Sequence, residues 1–145
     1  MISVPAARDI IQQQISLLPP VFIKLPAAAG HRLAADVFAT VDIPAYPQSS
    51  MDGYAFSFAD WKANPSLEIN GEMAAGSNQE KKILPQTAVR IFTGAPVPVG
   101  ADTVVMQEKC SISDDELIIE DPFLKIGDNV RPRGSEITKG SIALE

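Results

Sequence analysis

Apolar positions follow one period at the start of the chain and another over the rest. From Ser3 to Leu18 they recur three and four residues apart (Ala7, Ile10, Ile11, Ile15, Leu18). That spacing predicts an amphipathic helix with Ser3 as N-cap, Pro5 in the first turn and Pro19-Pro20 as its stop. Beyond Val21 the apolar runs are short, rich in Val, Ile and Phe, and bounded by Pro and Gly, as expected of strands joined by turns. Extended segments are predicted at Val21–Leu25, Ala34–Val41, Leu67–Ile69, Val89–Phe92, Thr103–Gln107 and Ser141–Leu144, with a loop or helical turn around Gly30 and another helical turn at Ala59–Lys62. Hairpins are expected where Val104–Ile112 meets Glu116–Glu120 across Ser113–Asp115, and over Phe123–Val130. The fold class is therefore mainly β (α+β): a helix and linker segment over residues 1–39, then a β lobe of short twisted strands over 40–145. Asp42–Ala45, stiffened by Pro44 and Pro47, is expected to be a hinge near the boundary. The helix stripe either caps this chain's own core or docks on another domain or a partner.

Bulk properties narrow the function classes. A chain of 145 residues, 46% apolar, can bury one core or two small joined ones. No run approaches the roughly 20 apolar residues of a membrane span, and no basic-then-apolar start argues for export. The lone cysteine, Cys110, cannot form an internal disulfide, which points to the cytoplasm, and it is a small strand hydrophobe before it is a nucleophile. His31 has no second histidine or nearby cysteine for a metal site, so it reads as a loop residue. A net charge of −6 argues against a nucleic-acid surface.

Three stretches carry candidate chemistry. Within Tyr46–Phe58, Asp52-Gly53 stands between apolar runs beside Ser49 and Ser50, where Gly53 is expected to take positive φ; an ordinary hairpin turn is the bland reading. Within Arg90–Glu108, a strand runs into Thr93-Gly94 and a loop stiffened by Pro96 and Pro98, which would present a hydroxyl and bare amides suited to an oxyanion. In Arg131-Pro132-Arg133-Gly134-Ser135-Glu136, two arginines suit bidentate anion binding, or pair with local acids such as Asp128. Lys81-Lys82 reads as a solvated turn, with an anion contact as the alternative. Asp114–Glu116 lacks the glycine and terminal glutamate of a calcium loop, so it reads as a soluble turn.

Ser49-Ser50-Met51-Asp52-Gly53-Tyr54-Ala55 together with Arg90-Ile91-Phe92-Thr93-Gly94-Ala95-Pro96-Val97-Pro98-Val99-Gly100-Ala101-Asp102 resembles the MoeA family of molybdopterin molybdenumtransferases, which includes the E domain of gephyrin. Gly30–Val37, Ala75-Gly76 and Gly127–Gly134 extend the likeness over almost the whole chain. Family members usually run to about twice this length or more, with a molybdopterin-binding α/β domain and a small β domain that do not appear here. The resemblance implies a transferase of molybdenum cofactor biosynthesis that inserts molybdate into adenylylated molybdopterin with release of AMP. On it, Asp52 is a Mg2+ ligand or water-positioning carboxylate, Thr93 and the Gly94 amide are oxyanion donors, Arg131 is an anion clamp, Glu136 lies at the substrate, and Ser49 orients the Asp52 turn. A homodimer is implied, in which this region forms one edge of a composite site; the alternative is a non-catalytic dimerisation or scaffold module. Two departures stand out: Pro47, often aspartate in the family, and Ser135-Glu136, where many members have Glu-Asp. Asp52 and Thr93 are expected on one side of the β lobe.

Overall fold

The computed structural model describes residues 2–16, 18–76 and 81–145. The chain divides into two compact units, Met1–Asp36 with Glu145, and Val37–Leu144.

In the first unit helix α1 (Val4–Gln14) starts as the sequence predicts: the Ser3 hydroxyl accepts from the Ala6 amide at 3.3 Å, with Pro5 inside the first turn. It ends earlier than Leu18. Ile15 is already extended and closes the helix through its amide to the Ile11 carbonyl. No residue of α1 is buried, so packing adds little to local propensity, and the β-branched Ile15 followed by Ser16 does not extend the helix to the proline stop. Leu17 lies outside the described residues. Val21–Ile23 form no strand; Leu25–Ala27 make a 3-10 turn, and Gly30 follows at φ +82°.

The second unit is mainly β. Its centre is a six-stranded sheet in the order β6-β3-β5-β4-β8-β7, from β3 (Gly53–Phe56), β4 (Ser66–Met73), β5 (Thr87–Ile91), β6 (Thr103–Met106), β7 (Cys110–Ser113) and β8 (Glu116–Ile119). Only the β4–β5 pair is parallel. The edge strands β6 and β7 are joined by the 3-10 turn Gln107–Lys109, so the expected Val104–Ile112 strand is broken in two and the sheet curls until its edges are neighbours in sequence. The β7–β8 hairpin turns on Asp114 and Asp115, both at positive φ, as a two-residue hairpin loop requires.

Alternation along the strands loads both faces of the sheet. Tyr54, Phe56, Leu67, Ala88, Val105 and Leu117 form one buried cluster, to which helix α2 (Phe58–Ala63) adds Phe58 and Trp61. Ala55, Met73, Val89, Ile91 and Val104 form the other, covered by Ile83, Ala95 and Val97 from the loops. Strand β4 runs past the predicted Leu67–Ile69 to Met73, with a register shift between Ile69 and Glu72 that spans Gly71 at φ +83°.

Two small ribbons complete the unit: β1 (Val37–Phe38) with β10 (Ile142–Leu144), and β2 (Gln48–Ser49) with β9 (Val130–Arg131). Residues 123–129 are turns and irregular backbone, not the expected hairpin. Asp42–Ala45 is not a hinge either. The Asp42 carboxylate takes the Arg133 guanidinium at 2.6 Å and the Lys139 amide at 2.7 Å, and Ile43 bridges to Ile137, so the segment is tied down.

Candidate functional site

The Asp52 stretch is a corner between sheets, not a hairpin. β2 pairs with β9 and β3 with β5 and β6, so the chain changes sheet between Ser49 and Gly53. Buried Ser49 shapes the corner from within: its hydroxyl donates to the Met51 carbonyl at 2.5 Å and receives the Met51 amide at 3.3 Å. The Ser50 amide and hydroxyl both donate to the Asn129 carbonyl, at 3.0 and 3.1 Å. Gly53 is a glycine for a different reason from the one expected. Its φ is not positive; a Cβ there would stand 1.8 Å from the Val105 carbonyl oxygen, so the tight approach of β3 to β6 excludes any side chain.

Asp52 projects into solvent and meets Thr93, 41 positions away. Its Oδ1 accepts the Thr93 amide at 2.8 Å and the Thr93 hydroxyl at 2.7 Å. These two bonds, the amide first and then the hydroxyl, hold the carboxyl below the usual carboxylate range, with the Arg90 cation adding to the effect. Among the described residues no donor bonds Oδ2, which leaves it open to solvent, a cation or a substrate. The clasp also corrects the oxyanion-donor reading. Thr93's amide and hydroxyl proton are spent on Asp52, and the Gly94 amide donates to the Ser49 carbonyl at 2.8 Å, so neither residue offers a bare donor.

Arg131 stands on β9 opposite Gln48, which joins its strand to the one that leads into the Asp52 corner. Its Nη1 pairs with Glu136 Oε1 at 3.1 Å, both side chains being about half exposed. The local acid is thus Glu136; Asp128 instead accepts the Lys125 amide at 2.8 Å. With that single contact among the described residues, most of the guanidinium's five donors are open to an anion.

A cation at Asp52 would have one open carboxylate oxygen to bind. Mg2+ keeps several waters and takes one or two carboxylates plus substrate phosphate oxygens, so one carboxylate with a free oxygen fits as a partial site. Among the described residues no group of three or more His, Cys, Asp or Glu side chains gathers to hold a metal ion. Cys110, half-buried at the head of β7, donates toward the Met106 and Gln107 carbonyls, and burial pushes its thiol up, away from a reactive thiolate.

Three supporting residues escape a linear reading. Asn129 takes the left-handed conformation at φ +58°, and its Nδ2 donates to the Val104 carbonyl at 2.8 Å, anchoring the carbonyl that holds Ser50. Arg90 donates to the Gly53 carbonyl and to the Gln107 side chain, and the Gln107 amide donates to the Asp52 carbonyl at 3.1 Å. The tolerance of Asn for positive φ is a signal present in the sequence; the roles of Arg90 and Gln107 depend on strand register and carry none.

The sequence profile of the MoeA N-terminal region (domain I and II) matches residues 2–145. This chain belongs to that family. Molybdopterin molybdenumtransferase from Staphylococcus aureus (strain MRSA252) is 35% identical over 145 residues, covering 97% of this chain and 34% of the relative. The Haemophilus influenzae protein of the same name is 33% identical over 124 residues, 86% of this chain and 31% of the relative. The chain therefore spans about a third of the length of these curated relatives. A crystal structure of a molybdopterin biosynthesis MoeA protein from Pyrococcus horikoshii superposes with TM-score 0.80 at 25% identity, covering 99% of this chain and 38% of that one. A second, from strain OT3, gives 0.76 at 30% identity, with 85% and 34% covered. The mainly β architecture is thus that of the MoeA N-terminal region.

Proposed function

We propose that this chain forms one edge of the active site of a molybdopterin molybdenumtransferase, which inserts molybdate into adenylylated molybdopterin and releases AMP. The observation that carries the reading is the Asp52–Thr93 clasp, an ionised carboxylate fixed through one oxygen and open at the other. Both substrates are anions, so a bare carboxylate contributes by holding a cation or ordering a water, not by touching them directly. Asp52 would hold Mg2+ through Oδ2, and the ion would supply positive charge to the substrate. Asp52 remains ionised at neutral pH because its Thr93 partners favour the charged form, and Thr93 fixes the direction of Oδ2. Arg131, held by Glu136, offers its remaining donors to a phosphate or molybdate oxygen.

The remaining walls of the site belong, on this reading, to the rest of a full-length protein and to the second subunit of a cytoplasmic homodimer. A dimerisation or scaffold module is the competing reading. The exposure of Ile10, Ile11, Leu18, Phe22 and Leu25 within Met1–Asp36 favours it, since so many large apolar groups in one short segment suit an interface.

Asp52→Asn in the full-length protein tests the catalytic reading. Asparagine keeps an Oδ1 that can accept both Thr93 bonds, so the fold is expected to survive while AMP release falls to background. A variant that keeps most of its turnover ends the assignment and leaves the interface reading standing.

A further inference from the structure

We propose that Arg90 is the positioning residue of the Asp52–Thr93 pair, clamping with one guanidinium the chain segments on which the carboxylate and the hydroxyl stand. The proposal deepens the functional reading of the pair given above and rests on it. The need for such a clamp follows from the register. The last ladder pair between β3 and β5 at this end is Gly53 with Ile91, so Asp52, Phe92 and Thr93 all lie beyond the hydrogen-bonded strands. No β3–β5 ladder bond keeps residue 52 against residue 93; the chain after Thr93 is tied instead to β2, the Gly94 amide donating to the Ser49 carbonyl at 2.8 Å and the Ser49 amide to the Ala95 carbonyl at 3.0 Å, three residues before Asp52.

Arg90, opposite Tyr54 in that register, reaches past the end of the ladder. Its guanidinium carbon lies 5.1 Å from the Tyr54 ring centroid and 5.0 Å from that of Phe92, the residue before Thr93. Nη1 donates to the carbonyl of Gly53, the residue after Asp52, at 3.2 Å. Nη2 donates to Gln107 Oε1, and the Gln107 amide donates in turn to the Asp52 carbonyl at 3.1 Å. One planar cation therefore touches the segment of Asp52, the segment of Thr93 and the turn that braces Asp52 from the far side. A lysine offers no second prong in a fixed plane, so it can replace the charge but not the clamp.

The test reads hydrogen exchange at the Thr93 amide in this chain by NMR, because that amide donates to Asp52 Oδ1 and reports whether the pair is held. In Arg90→Met, which keeps an apolar stem over the rings, and in Gln107→Ala, the Thr93 amide is expected to exchange about three- to tenfold faster, the scale of one lost hydrogen bond. Amides in the middle of β3 and β5 should be unchanged, which a general loss of stability would not allow. Arg90→Lys should restore only part of the protection. If Arg90→Met fails to fold, Gln107→Ala and Arg90→Lys decide, since each removes only part of the clamp. Wild-type exchange at Thr93 in both overturns the proposal. The exchange result does not depend on turnover, so it stands apart from the functional reading: full turnover in Asp52→Asn sinks that reading alone. In the full-length protein, wild-type kcat in Arg90→Lys and Gln107→Ala, with Asp52→Asn inactive, sinks the clamp alone.

Discussion

At the scale of single residues, two glycines beside the candidate site separate two kinds of constraint. Gly53 is required by space: a Cβ would lie 1.8 Å from the Val105 oxygen, on the backbone of a neighbouring strand that cannot rotate away. Gly94 is required by conformation: its φ is +81°, and a Cβ there would meet nothing within 4 Å. Gly53→Ala should therefore cost more than about 2 kcal/mol, because β3 and β6 must move apart. Gly94→Ala should cost about 1 kcal/mol of backbone strain. Urea denaturation of the two variants checks the order; a Gly53→Ala variant as stable as wild type would mean that the two strands are not held at this separation. The same contrast explains why Gly53 reads as a turn glycine in the sequence and is a packing glycine in the fold. A glycine after an aspartate signals a turn, whereas a neighbouring carbonyl appears only when the strands are paired.

At the scale of elements, the loops are held by carboxylates that accept backbone amides, and this sets the acid limb of stability. The Lys139 amide and then the Arg133 guanidinium hold the Asp42 carboxyl below its ordinary range. Asp121, 9% exposed at the end of β8, is lowered by Lys109 at 2.8 Å and then by the Phe123 amide. A carboxyl whose folded pKa is depressed contributes stability above its unfolded pKa and loses it as pH falls through the folded value. The melting temperature should accordingly be flat near neutrality and fall once pH drops below the ordinary carboxylate range. Asp42→Asn should melt lower than wild type at neutral pH, and the gap should close in acid, where Asp42 is protonated. A gap that is constant with pH would mean that the Asp42 contacts act through shape and not through charge.

At the scale of the whole molecule, the candidate site is proposed to be an edge. It offers one fixed carboxylate, one arginine–glutamate pair and no gathered ligand set among the described residues, in a chain that spans 31–34% of its curated relatives. The loop after Thr93-Gly94 leads into β6, not into a helix, so it lacks the helix N-terminus with which phosphate loops cradle a nucleotide. The 145-residue chain on its own is expected to release no AMP from adenylylated molybdopterin. Measurable release above a no-protein control would show that the edge is a site in itself.

The sequence by itself determined some of the local elements and the family. The Ser3 cap and the Asp114-Asp115 turn rest on contacts within a few residues, and the Val- and Ile-rich runs mark strands by composition although their pairing is long-range. The two long motifs around Asp52 and Thr93 carry the resemblance to MoeA because each is a contiguous run. Tertiary structure decided everything that depends on partners distant in the chain. It parted β6 from β7 at Gln107–Lys109, turned the Asp52 hairpin into a corner between sheets, and tied the expected Asp42 hinge to Arg133 and Lys139. It also spent the Thr93 and Gly94 amides on Asp52 and Ser49, and set the Arg90 guanidinium on the Gly53 carbonyl and the Gln107 side chain. The physical reason is common to all of these. A donor's partner is chosen by register and sheet order, and those are fixed by burying both faces of the curled sheet at once, a condition no single stretch of sequence contains.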